Sequence, residues 1–269
     1  MKLVTFGCSW IWGDELEPST AEYRNSVNIG GLINKDYKFD DYINYGNNGA
    51  SNERIILQIM EYKKSKHYDV NDFILVGLSG TQRKLDYLNY NKIPFTIPVW
   101  HEMLIPNDMD DSNFRKWFLD TGAFLINSRN DAVRYSVNIQ TIKSLLSQHS
   151  KYIVFQSIDK INKMYDSVEY DKWSEIRLHH DVNDETFEND STIFFDKEFL
   201  EKEIKSNLLD TQVWINFKEK SWFEYLEELH IADPLNFQPM VGFGQHPNEF
   251  GIKYWYDNVL KSYIEKILI

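Results

Sequence analysis

One cysteine, Cys8, is present in 269 residues. An internal disulfide is therefore excluded, and the fold is expected to need no oxidising compartment. Cations are also scarce: 29 Lys and Arg face 41 Asp and Glu, a formal net charge of −12. Binding along a nucleic-acid backbone requires clustered cations, so no nucleic-acid partner is expected. An anionic membrane surface is disfavoured on the same ground. No apolar run approaches the ~20 residues that span a bilayer. Residues 3–12 are apolar enough to imitate a signal-peptide core. With one preceding Lys and no small-residue cleavage site, they read instead as a first strand and its turn. The resulting expectation is a cytoplasmic protein, a virion component being the alternative that would also lack a signal. Gly/Ser linkers and internal repeats are missing too, which points to one domain over residues 1–269.

What the chain does have is a 42% hydrophobic share, enough for a real core at this length. Short apolar runs end repeatedly at glycine. Leu3-Val4-Thr5-Phe6 stops at Gly7, residues 42–45 at Gly46, and residues 72–76 at Gly77. These and residues 152–155 read as strands. Helices are expected over about 52–66, capped by Asn48 or Ser51, over 132–148, and over 248–268. The middle one is expected to bury Val133, Val137, Ile142, Leu145 and Leu146. Strand and helix alternate, so the expected fold class is α/β, a three-layer α/β/α arrangement around a mostly parallel sheet. Residues 86–126 and 160–235, rich in aromatic and charged groups, read as insertions flanking the active edge.

Three short blocks carry candidate chemistry. Gly7-Cys8-Ser9-Trp10 follows the first strand, Asn44-Tyr45-Gly46-Asn47-Asn48-Gly49 follows the second, and His246-Pro247-Asn248 precedes the last helix. A serine hydroxyl needs a base to become a nucleophile, and histidine titrates near neutrality. A glycine N–H can approach a reacting carbonyl closely. Taken singly, each block has a plainer reading as a helix cap or an ordinary turn. Their joint order is what points to a site.

In that order the chain resembles the SGNH, or GDSL, hydrolase superfamily. The resemblance is confined to residues 3–16, 44–52, 74–80 and 246–256. It implies a flavodoxin-like SGNH fold, Ser9 as nucleophile, His246 as base, and an oxyanion hole from Ser9, Gly49 and Ser79. It implies an acyl ester substrate, with an O-acetylated carbohydrate favoured slightly by the 15% aromatic content. Trp100, Trp117, Trp173, Trp214 and Trp222 are numerous enough for a sugar-stacking platform. No metal or organic cofactor follows from this chemistry. His179-His180-Asp181 reads as an extended segment rather than a metal site, because adjacent side chains there face opposite ways.

The chain also departs from the family pattern. Cys8 stands where the family has Asp in its first motif, and reads as a small buried hydrophobe rather than a nucleophile. Ser79 and Gly80 replace the Asn and Asp of the third block. Phe243 occupies the position of the acid three residues before the histidine. Three replacements stay open: a Ser–His dyad oriented by a backbone carbonyl, Asp233 folding back, or Glu249 one turn beyond His246. Two other functions also stay open. One is a degenerate binding or structural protein on the same fold, the other an O-acyltransferase using the same site.

Overall fold

Leu3–Gly7 (β1) and Phe73–Leu78 (β3) are buried at every position, facing the core on both sides. Such unbroken apolar strands belong in the middle of a parallel sheet covered on both faces. In the computed structural model, the described residues are 1–80, 83–88, 93–98, 128–158, 214–215, 221–232 and 246–268. β1 pairs in parallel with Tyr42–Asn44 (β2) on one side and with β3 on the other, Leu3 lying opposite both Tyr42 and Phe73. A hairpin of Arg83–Leu88 (β4) and Ile93–Pro98 (β5) stands apart as an antiparallel pair. Tyr152–Gln156 (β6) joins β3, and Trp214–Ile215 (β7) joins β6, both in parallel. The sheet order is β2-β1-β3-β6-β7. Without the hairpin this is the doubly wound order 2-1-3-4-5, whose ligand crevice opens between its first and third strands at their carboxyl ends.

The helices divide between the two faces, as right-handed crossovers require. Asn52–Lys64 (α4) packs with Ser128–Leu146 (α5). Ile29–Tyr37 (α3) packs with Glu249–Trp255 (α7), which also meets Trp222–Ala232 (α6). The final helix continues through a π turn, Tyr256–Leu260, into Lys261–Leu268 (α8). Ser9–Trp12 (α1) and Ala21–Val27 (α2) complete the described helices. None is long and apolar enough to cross a membrane.

Several expectations need correction. In α5 the buried positions are Tyr135, Asn138, Ile139, Ile142 and Leu146, while Val137 is 57% exposed. The helix is turned because two polar-tipped residues are satisfied inward. Tyr135 donates to Gln156 Oε1 at 2.6 Å, and Asn138 donates to Glu53 Oε1 at 2.9 Å. Pro247 lies before the last helix, as the sequence order suggests. Asn248 is the cap, its Oδ1 accepting from the Gly251 N–H at 2.9 Å. Trp222 is fully buried and stacks on Trp255, centroids 4.6 Å apart, so it belongs to the core and not to a sugar platform. Trp100, Trp117, Trp173 and the His179-His180-Asp181 run lie outside the described residues, and the side chain of Trp214 is not described.

Two glycines explain how the sheet receives α1. A Cβ at Gly7 would come within 2.3 Å of Ile11 Cγ1, and one at Gly77 within 2.6 Å of Ile11 Cδ1. The two strands thus leave a notch at their carboxyl ends that Ile11 fills. Gly77→Ala is expected to push Ile11 out of that notch and cost about 1–3 kcal/mol, read as a lower urea midpoint at unchanged slope.

A second expectation concerns pH. His149 is buried, packs edge-on against Tyr68, and has its pKa held below the ordinary 6.5, first by burial and then by the Lys63 ammonium. Below pH 6.5 the unfolded chain therefore binds a proton that the folded chain refuses. Stability is fully present above that pH and falls as pH drops towards the depressed folded value. Urea midpoints at about pH 7.5 and about pH 5.5, roughly one unit either side of the free imidazole value, should diverge in the wild type. They should diverge less in His149→Gln.

Candidate active site

The β1–α1 corner places four consecutive side chains in four directions, as one helical turn must. Ser9 faces the last helix. Trp10 packs edge-on against Trp222 at 5.0 Å and near Phe223 at 5.9 Å. Ile11 fills the glycine notch, and Trp12 lies under the Arg24 guanidinium at 4.0 Å. Ser9 is thereby fixed on a helix only four residues long.

His246 arrives from the other side of the sequence, immediately before the capped start of α7. Its Nε2 lies 2.8 Å from Ser9 Oγ, across a separation of 237 residues. That distance is within hydrogen-bond reach for a nucleophile and its base. Ser9 is fully buried, and the His246 side chain is 14% exposed.

The turn after Ser9 brings charge to the same histidine. The Gly13 and Asp14 N–H groups both donate to the Ser9 carbonyl, at 2.9 and 3.0 Å. Gly13 and Glu15 are left-handed, with φ of 84° and 62°. The chain doubles back over the head of α1. Glu15 Oε2 ends 3.5 Å from His246 Nδ1, and Asp14 Oδ2 ends 3.9 Å from Nε2. A left-handed conformation is uncommon for a residue with a side chain and carries strain of roughly 1 kcal/mol or more.

Neither carboxylate is singled out by the sequence reading. The local clue is Gly13-Asp14-Glu15 directly after the Ser9 turn, where a glycine permits the reversal. Of the replacements considered for the missing acid, Glu249 is turned away and accepts a hydrogen bond from the Tyr23 hydroxyl. Asp233 lies outside the described residues.

The Gly49 loop is tied to this same edge. The Asn47 N–H donates to the Gly7 carbonyl at 3.0 Å, and a Cβ at Gly46 would meet Trp12 N at 2.8 Å. Asn44 Oδ1 accepts from Thr5 Oγ1 and the Gly46 N–H, at 3.0 and 2.8 Å. Gly49 itself has φ 70° with open space where a Cβ would stand, so its requirement is conformational. Ser79 follows β3. Its N–H donates to Asn52 Oδ1 at 2.8 Å, and its carbonyl accepts from Asn52 Nδ2 and Gln156 Nε2 at 3.1 and 3.2 Å. The backbone is clamped, whereas Ser79 Oγ is buried and makes no hydrogen bond among the described residues. Cys8 is buried in the core, as a small hydrophobe would be.

No protein-family model matches the chain, and no curated protein matches its sequence. Among solved structures the chain is similar to phospholipase A1 from Streptomyces albidoflavus NA297. Identity is 11% and the TM-score 0.42, over 97% of this chain and 98% of that one. So loose a likeness assigns no residue a role. The case for chemistry rests on the distances around Ser9 and His246.

Proposed function

We propose that the chain is a serine ester hydrolase of SGNH type, with Ser9 as nucleophile and His246 as general base. The observation that carries this is the 2.8 Å contact between Ser9 Oγ and His246 Nε2 at the carboxyl edge of the sheet. Its position supports the reading, since Ser9 follows β1 beside β3, where the strand order reverses.

Ser9 Oγ attacks the ester carbonyl while its proton passes to His246 Nε2. The tetrahedral oxyanion is held by the Ser9 N–H, the Gly49 N–H and the Ser79 hydroxyl. The first N–H groups of a helix lack intrahelical acceptors, which suits Ser9 at the start of α1. Ser79 Oγ, buried and without a hydrogen bond among the described residues, is a donor held in reserve. Collapse returns the proton to the leaving alkoxide and leaves an acyl-Ser9. Water then attacks, His246 taking its proton and passing it to Ser9 Oγ as the acyl–oxygen bond breaks and the acid leaves. An acyl ester is the substrate class, an O-acetylated carbohydrate its narrower form. A hydroxyl acceptor in place of water would make the same site an acyltransferase.

One observation favours a second reading, a binding protein on this fold: Ser9 exposes none of its surface. A fluorophosphonate probe followed by peptide mass mapping separates the two. The hydrolase reading expects a single phosphonylated residue, Ser9, with labelling lost in His246→Ala. A chain that stays unlabelled, and that does not turn over a short-chain aryl acetate, is the binding protein.

A further inference from the structure

We propose that Glu15 is the positioning carboxylate for His246, replacing an acid that in this fold would stand near the histidine in sequence. The inference rests on the hydrolase reading and adds to it the group that orients the base. Glu15 Oε2 lies 3.5 Å from His246 Nδ1, while Nε2 is committed to Ser9 Oγ at 2.8 Å. The two ring nitrogens thus face the two ends of one short segment, residues 9–15.

The chemistry requires a group at this place. When Ser9 Oγ bonds to the acyl carbon, its proton moves to Nε2 and the imidazole becomes a cation. A carboxylate at Nδ1 keeps the proton there before the reaction, leaving the Nε2 lone pair free for Ser9 Oγ–H. It then stabilises the positive charge as it forms, without taking the proton itself. The proton on Nε2 goes on to the leaving alkoxide, and Glu15 ends each cycle ionised, as it began.

The backbone supports the assignment. Glu15 is left-handed at φ 62°, a conformation that favours glycine, yet it carries the longer acidic side chain. Strain of this kind clusters where surrounding structure holds a side chain for a task. The Gly13 and Asp14 N–H groups bound to the Ser9 carbonyl close the reversal, so Ser9 and Glu15 sit on one hydrogen-bonded turn.

Among the described residues, carboxylates face His246 from the nucleophile turn. Glu15 and Asp14 come from the nucleophile turn, Asp14 on the Nε2 side at 3.9 Å. Glu249, on the helix that follows the histidine, is bound to the Tyr23 hydroxyl. Arg24 lies over Trp12.

The test is Glu15→Gln in the full chain, with Glu15→Gly beside it. Gln keeps the size and removes the charge, while Gly suits the left-handed backbone and so keeps the fold. With a short-chain aryl acetate, both variants should lose about 10²–10⁴-fold in kcat at nearly unchanged KM. The acid limb of kcat/KM should move to lower pH, because removing a negative neighbour lowers the imidazole pKa. Glu249→Gln should leave the limb in place. A nitrogen-15 NMR titration of His246, assigned by its absence in His246→Gln, reads the same contact without turnover. Wild type should show the proton on Nδ1, and Glu15→Gln should shift it towards Nε2 and lower the titration midpoint. An unmoved tautomer and midpoint overturn the proposal, even if the enzyme is active. A shifted tautomer with no turnover in the wild type upholds the contact and removes the hydrolase reading instead.

Discussion

Ser9→Ala is expected to lower kcat on a short-chain aryl acetate by about 10⁴–10⁶-fold, and His246→Ala by nearly as much. The reason lies in the single contact between them. Without His246, the Ser9 hydroxyl keeps its proton and stays a weak nucleophile. Without Ser9, His246 loses the hydroxyl that lies within hydrogen-bond reach of its Nε2. On the proposed assignment the two groups act as a unit, so the double variant should be scarcely slower than either single one. Any remaining rate measures what the proposed oxyanion donors achieve alone. Equal rates for wild type and both variants would assign the turnover to another group or a contaminant.

The second large effect concerns stability. Trp255→Ala should cost about 3–5 kcal/mol, the range for deleting a large buried aromatic. Trp255 is fully buried, stacks on Trp222 at 4.6 Å and meets Phe155 of β6 at 4.8 Å. It is the point at which the final helix rests on the sheet. Denaturation should show a large drop in urea midpoint with little change in slope. Trp255→Phe keeps part of the stack and should lose less. Since α7 follows His246 directly, Trp255→Ala should also reduce turnover while folded, by loosening the histidine's mount. A midpoint within about 1 kcal/mol of wild type would mean that the site collapses around the cavity.

The sheet was legible in the sequence wherever one physical cause dominated. Apolar runs ending at Gly7, Gly46 and Gly77 marked the strands to within two residues of their ends, Gly77 lying inside β3 and Gly46 two residues past β2, and each glycine sits where another element approaches closely. Ser51 marked a helix start, and its Oγ indeed accepts from the Arg54 N–H at 3.3 Å. Side-chain pattern failed where polar atoms were paid inward: Tyr135 and Asn138 face the core because Gln156 and Glu53 receive them. The helices α2 and α3 escaped notice, α2 burying no residue and so carrying no apolar stripe. The contact of Ser9 with His246 is consistent with the order of the motifs, although order alone gives no distance. Glu15 was out of reach for a different reason. Its approach to His246 depends on two left-handed residues, Gly13 and Glu15, and the second is of a type that rarely adopts that conformation.

The separation of Ser9 and His246 has a consequence in time. Their contact spans 237 residues of chain. At a synthesis rate of ~5–20 residues per second, the serine leaves the ribosome's catalytic centre on the order of ten to fifty seconds before its histidine is made. Glu15 follows within about a second. On the proposed assignment, a growing chain carries Ser9 and Glu15 together before His246 exists, and should not turn over esters around it. The proposed activity should begin only once His246 has docked against Ser9, so the onset of turnover during synthesis would report that contact.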